Sequence, residues 1–306
     1  MPASQHAPDA AFDPHTGQAV AVGPGLVRIT AGNSGPYTYA GTNSYLVGSG
    51  SMVAVVDPGP DDRTHRAALL AAIGGRTVTS ILLTHTHKDH SALAPRLREE
   101  TGAPVLCGGR HRLSRPRRPL EINPVGGHSD WRLLPDRVLA DGEEVCVGDR
   151  TLIAVATPGH CANHFCFGLS GTHWLLSGDH VMGWNTTLVA VPDGSMADYF
   201  DSLSKLAALP YRHYLPGHGG AVDNGPGRAL ELREHREHRN RQVLEAVAAG
   251  ATRIGQLVRA IYPQLAVPLR PAARMTLEAH VEYLEAQGAL RIERGLLGAR
   301  LRAARS

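Results

Sequence analysis

The chain has 306 residues, 42% of them hydrophobic, and a formal net charge of +3, which suits one large domain or a large one beside a small one. No run of about eighteen apolar residues is free of charge, which excludes a membrane-spanning helix; four cysteines (Cys107, Cys146, Cys161, Cys166) without CxxC spacing exclude a disulfide scaffold and point to a reducing cytoplasm. The charge is uneven, with fourteen Arg against eight acidic residues after Gly227, net +6, and a net of −3 before it, so an anionic partner for the tail is worth testing.

Residues 1–22 have no apolar core of a secretory signal and are expected to be a flexible lead-in. From residue 43 short apolar runs alternate with Gly, Pro and Asp. "SYLVG" and "MVAVVDPG" predict two strands joined by "GSGS". "DRTHRAALLAAI" has helical spacing, "VTSILLTH" is β-prone, and "SALAPRLREETG" predicts a helix with Pro95 in its first turn. "VLC", "RTLIAVATPGH", "FCFGLS", "HWLLSGDH" and "HYLPGHG" predict further strands that end on small or polar residues, with an amphipathic helix in "MADYFDSLSKLAAL". Strands mixed with helices predict an α/β (α+β) fold of sheets flanked by helices over residues 23–225. Over residues 226–306 strand signals fade into a long charged helix, two more helices, and "LRIERGLLGARLRA" as a small two-stranded wing. That order resembles a winged-helix-like unit.

Chemistry concentrates at the strand exits. In "LLTHTHKDH", His85 and His87 share one face of an extended strand end, whereas Asp89 and His90 follow a turn and approach from another side. One segment can thus serve two adjacent cations with two donors each. Zn²⁺ takes about four imidazole or carboxylate donors, so others are needed. "ATPGH" offers His160, "LLSGDH" offers Asp179 and "YLPGHG" offers His218, each with a glycine beside it that lets backbone pass close. The expected arrangement has His85, His87 and His160 on one metal, Asp89, His90 and His218 on the other, and Asp179 with a hydroxide between them. Asp89 and Asp179 are the expected catalytic carboxylates. The cofactor is then two Zn²⁺ ions, with Mn²⁺ or Fe as alternatives.

This ordered set, HxHxDH then PGH, SGD and PGHG, resembles the metallo-β-lactamase superfamily over residues 25–222. The resemblance implies an αββα sandwich with a two-metal site at one sheet edge. Ser91-Ala92 stands where the family usually has two glycines, which removes no donor. Asp179 as a bridging carboxylate argues against the antibiotic-hydrolysing branch. "YTYAGTNSYLVG", "SGDHVMGWNTTLVAVPDGSMADYFDSLSKL" and the tail resemble the lactamase-β-like protein 2 group, which implies an endoribonuclease cutting single-stranded RNA. On that reading "RHRLSRPRRP" (Arg110, Arg112, Arg115, Arg117, Arg118) and the tail would hold phosphates. The alternative is a thioester or lactone hydrolase of the glyoxalase II type; the third is a regulatory nucleic-acid-binding module with an inactive site. Expected partners are therefore single-stranded RNA or a small ester or thioester, with no membrane, and with a homodimer as one use of the tail.

Around the seven donors, Asp57 in "VVDPG" is expected to hydrogen-bond a donor histidine. His164 is a candidate substrate contact or proton donor, and His180 a candidate support for a donor. Cys161 reads as a buried thiol, and "REHREHRNR", with His235 and His238, as a solvated helix face.

Overall fold

Short β-prone runs bounded by Gly and Pro pair into two main sheets in the computed structural model, which describes residues 12–295 and 298–304. The first sheet holds β1 (Ala19–Gly23), β2 (Leu26–Thr30), β3 (Asn43–Val47), β4 (Met52–Val56), β5 (Thr77–Leu82), β6 (Val105–Cys107) and β7 (Arg137–Val138), side by side in that order. Pairing is antiparallel as far as β4 and parallel beyond it. The second sheet holds β8 (Glu144–Val147), β9 (Arg150–Ala156), β10 (Phe165–Leu169), β11 (Trp174–Gly178) and β12 (His213–Pro216), in the order β12-β11-β10-β9-β8.

The helices complete the layers: α1 (Arg63–Ile73), α2 (Lys88–Ser91), α3 (Ala94–Thr101), α4 (Met196–Ala208), α5 (Gly225–Ala248), α6 (Ile254–Ile261) and α7 (Arg270–Ala286). Alternate strand residues fill the space between the sheets, among them Leu26, Val56, Leu82, Phe167, Leu176 and Leu215, all 1% exposed or less. The opposite faces pack on helices. Leu69 and Ile73 of α1 and Leu97 of α3 cover the first sheet, and Tyr199, Phe200, Leu203 and Leu206 of α4 cover the second. Each such side chain contributes about 1.5–3 kcal/mol relative to exposure. This is the αββα sandwich. Caps end the helices where they must: the Asp62 carboxylate accepts from His65 N–H at 2.7 Å, and Ser195 Oγ accepts from Asp198 N–H at 3.2 Å.

The helix expected in "SALAPRLREETG" forms as α3, with Pro95 in its first turn and Gly102 as its left-handed cap. Two expectations are corrected. First, β1 lies inside the segment read as a flexible lead-in: it pairs antiparallel with β2, and the Arg28 guanidinium donates to the carbonyls of Asp13 and Pro14; residues 1–11 lie outside the described residues. Second, "REHREHRNR" is not wholly solvated. Arg236 is 2% exposed, donates to Thr187 O and lies over the Tyr199 ring at 5.5 Å, while Asn240 Oδ1 accepts from His280 at 2.7 Å.

Helix α5 serves both halves of the molecule. Ala229 and Leu232 near its start pack with α4, whereas Val243 and Val247 near its end join Leu257, Leu277, Val281, Leu290 and Leu301 in a second core. That second core is closed by an antiparallel hairpin of β13 (Leu290–Gly295) and β14 (Gly298–Ala303).

Candidate metal centre

The strands β4, β5, β9, β11 and β12 end on the same side of the sandwich, and the seven donors sit on the segments just beyond them. His160, Asp179 and His218 directly follow Gly159, Gly178 and Gly217. Gly217 shows why: a Cβ there would lie 2.5 Å from Asp179 Oδ1 and 2.6 Å from His90 Cε1.

Three donor groups have all their ligand atoms within 4.8 Å of one another: His85, His87 and His160; His85, His90 and Asp179; and Asp89, His90 and His218. His87 Nδ1 lies 3.1 Å from His85 Nε2 and 2.9 Å from His160 Nε2. His90 Nε2 lies 3.3 Å from His218 Nε2, 3.3 Å from Asp89 Oδ2 and 3.4 Å from Asp179 Oδ1. Asp179 Oδ2 is 3.4 Å from His218 Nε2 and 3.8 Å from His160 Nε2, so this carboxylate touches both halves.

The second nitrogen of each ring decides what these contacts are. His85 Nδ1–H donates to Thr84 Oγ1 (3.0 Å), whose own proton goes to Asp57 Oδ2 (2.6 Å). His90 Nδ1–H donates to Asp57 Oδ2 (2.9 Å), His160 Nδ1–H to Leu188 O (2.7 Å), His218 Nδ1–H to Gly41 O (3.2 Å) and His87 Nε2–H to Asp193 Oδ2 (3.2 Å). Every proton of a neutral imidazole is thereby accounted for, so five nitrogen lone pairs converge on two carboxylates. Asp179 Oδ1 is buried without a hydrogen-bond partner. Converging lone pairs repel unless cations lie between them, so this donor set fits metal ions.

Electrostatics agree. Burial pushes Asp179 up, but His218 and His90 outweigh it and hold its carboxyl well below the usual range; His90 and His218 do the same for Asp89. Burial pulls His160 down to about 4 and keeps it a neutral donor. Burial would also lower His90 and His218, yet Asp89 and Asp179 raise both, His218 to about 9, so without a cation these two rings would hold a second proton in the place a metal ion would take.

Asp57 lies behind the centre, its Oδ1 also accepting from Thr84 N–H at 2.7 Å. His164 is fully buried: its Nδ1–H donates to Thr157 Oγ1 (2.8 Å) and its Nε2 accepts from Asp179 N–H (3.2 Å), so it holds backbone and faces no substrate. The His180 ring hydrogen-bonds none of the seven donors; it stacks on Tyr199 at 4.6 Å because α4 closes over it. Burial, then the Asp193 charge, pushes the Cys161 thiol up, against the opposing hydrogen bond with Asn163.

Sequence reading missed Asp193 and His111. Asp193 Oδ1 accepts from His111 Nε2–H at 2.9 Å, and Trp131 packs on the His111 ring at 4.3 Å. No motif marks either residue. Two of the five loop arginines pair with acids. Arg115 donates to Glu121 (2.6 Å and 2.7 Å) and to Glu282 of α7 (2.6 Å and 2.8 Å), and Arg118 donates to Glu282 at 2.5 Å. Among the described residues no helix is long and apolar enough to cross a membrane.

A two-sheet sandwich carrying this donor cluster at one edge defines a metallohydrolase. Residues 37–218 match the metallo-β-lactamase superfamily, and the chain belongs to it. The β-lactamase-like protein 2 homolog of Caenorhabditis elegans is 31% identical over 72% of this chain and 70% of its own. The atrochrysone carboxyl ACP thioesterase of Aspergillus fumigatus is 29% identical over 79% of this chain and 75% of its own. A metallo-β-lactamase family protein from Thermus thermophilus superposes with a TM-score of 0.74 at 28% identity, covering 92% of this chain and all of the other.

Proposed function

We propose that the chain is a two-cation hydrolase of thioesters or activated esters. The observation that carries the two-cation reading is the proton count above: five histidines whose free lone pairs converge on Asp89 and Asp179. His85, His87 and His160 would hold one ion; Asp89, His90 and His218 would hold the other; Asp179 reaches both. Imidazole and carboxylate together suit Zn²⁺ first, with Mn²⁺ or Fe as alternatives. When bound, two such ions acidify a water and polarise the carbonyl it attacks. The chain's own part is to fix seven donors, through Asp57, Thr84, Leu188 O and Gly41 O, in the tautomers that leave those lone pairs free.

Three observations support a thioester over RNA. Two of the five loop arginines, Arg115 and Arg118, are paired with Glu121 and Glu282, which leaves fewer charges for a phosphate backbone. Exposed apolar residues lie near the centre: Trp131 (43%) packs on His111, whose ring is 6.0 Å from that of His87, and Tyr37 (49%) lies 6.4 Å from His128, whose carbonyl accepts from Lys88 N–H. His164, the candidate proton donor, is turned inward, which suits a thiolate leaving group, since a thiol of pKa near 8.5 departs without a proton more readily than an alkoxide. The A. fumigatus thioesterase is a relative over 79% of this chain and 75% of its own.

The test is one purified preparation assayed for bound metal, then against an acyl thioester, a lactone and single-stranded RNA. Metal near two equivalents with thioester turnover is expected. RNA cutting without thioester turnover would return the substrate to a phosphodiester.

A further inference from the structure

We propose that Asp193 is a positioning residue that fixes His87 as an Nδ1 donor. The inference rests on the two-cation reading, and it concerns the only one of the five donor histidines whose second nitrogen faces a carboxylate from the α4 side of the site. His87 is also the only one that turns Nδ1 rather than Nε2 to the centre. An imidazole offers Nδ1 only if its proton sits on Nε2, so something must hold that proton.

The proton directions around Asp193 are determined link by link. Asn163 Nδ2–H donates to Thr86 Oγ1 at 2.8 Å, so the Thr86 hydroxyl is free to donate to His111 Nδ1 at 2.9 Å. His111 therefore carries its proton on Nε2 and donates it to Asp193 Oδ1 at 2.9 Å, where Asn123 Nδ2–H also arrives at 3.2 Å. Oδ2 is left for His87 Nε2–H at 3.2 Å. With the opposite tautomer the His87 Nε2 lone pair would face a buried carboxylate, and both would lose a partner. Because N–H donors occupy both of its oxygens, Asp193 is a support and not a donor to metal.

The carboxylate is fixed in place from two sides. Asp193 is fully buried, Ser114 N–H donates to Pro192 O at 3.0 Å, and Ser114 Oγ lies 2.7 Å from Gly194 O. Ser195 N–H donates to Gly159 O at 2.9 Å, which ties the same segment to the loop that carries His160.

The test uses the full chain. Long-range ¹H–¹⁵N spectra of the zinc-loaded wild type should show His87 and His111 both protonated at Nε2; a proton on His87 Nδ1 would overturn the inference without any variant. Cobalt(II) and zinc titrations against a chromophoric chelator should then show that Asp193→Ala and Asp193→Asn weaken one of two equivalents by about tenfold to a hundredfold. The other equivalent should be unchanged, and the visible cobalt spectrum of the weakened site should shift. Wild-type affinity and spectrum in both variants would overturn the role of Asp193 alone. A wild type that binds no metal would end the two-cation reading instead.

Discussion

Asp57 is a non-glycine residue at φ 51°, in the left-handed region that Asp and Asn tolerate better than most. What keeps it there is its carboxylate, which accepts from Thr84 N–H, Thr84 Oγ1–H and His90 Nδ1–H. One residue thus orients His90 directly and His85 through Thr84. Asp57→Asn keeps the backbone preference but replaces one acceptor oxygen with an N–H donor. Metal affinity in a chelator competition is expected to fall about 10–100-fold while the melting temperature of the metal-free protein stays close to wild type. Equal affinity would remove Asp57 from the site's support. Gly217 tests the same space sterically. In Gly217→Ala the added methyl meets Asp179 and His90, so turnover should fall at least tenfold, with a destabilisation of about 1–3 kcal/mol from overpacking. Gly50→Ala, where nothing lies within 4 Å, should leave turnover unchanged. If both variants hydrolyse like wild type, the centre is looser than these distances imply.

At the scale of elements, the loop that carries His111 and Ser114 is fastened to α7 through Arg115. The guanidinium meets Glu282 and Glu121 with two hydrogen bonds each, about a quarter exposed. The hydrogen bond from Arg115 holds Glu121 down at about 2. Removing Glu282 leaves two cations with one acid, and hydrogen bonds to charged groups are worth about 1.5–3 kcal/mol. Glu282→Ala is expected to lower the melting temperature by several degrees, and a cycle with Arg115→Ala should give a coupling of about 0.5–3 kcal/mol. Additive losses would mean that the two residues are fastened independently. This clamp was not legible in the sequence. "RHRLSRPRRP" shows five arginines but not the acid on a helix some 165 residues later, so it reads as a phosphate grip. "REHREHRNR" shows no apolar stripe, yet Arg236 is buried by virtue of its long stem and an acceptor, Thr187 O, that comes from a distant loop.

For the whole molecule, what was legible follows from where strands end. The seven donors each sit within a few residues of a β-prone run, and a sheet brings such ends to one edge, so local patterns sufficed for them. Asp193 lies in an irregular stretch with no period and no motif, and its partner His111 lies in another, so only the folded chain joins them. The tail was read as a basic winged-helix-like unit, and what that reading did not show is that α5 and α7 bury Arg236, Asn240 and His280. That burial makes a prediction about pH. Burial first, then the nearby Arg236 and Arg239 charges, hold His280 well below the usual histidine range and His235 at about 4. His280 faces Asn240, to which it donates; His235 also feels His238. Both are therefore neutral in the fold, whereas in the unfolded chain they take a proton near pH 6.5. Below that pH the unfolded state binds more protons, so stability is lost as pH falls from about 6.5 towards 4 and is flat above about 7.5 as far as these two groups are concerned. The fully buried His280 contributes a slope that approaches about 1.4 kcal/mol per pH unit. His280→Gln retains a side-chain amide for Asn240 and cannot titrate, so its melting temperature should fall less steeply than wild type between pH 6.5 and 4.5, with the two curves parallel above pH 7.5. Equal slopes in the acid range would show that His280 takes its proton without unfolding, and that the second core admits charge.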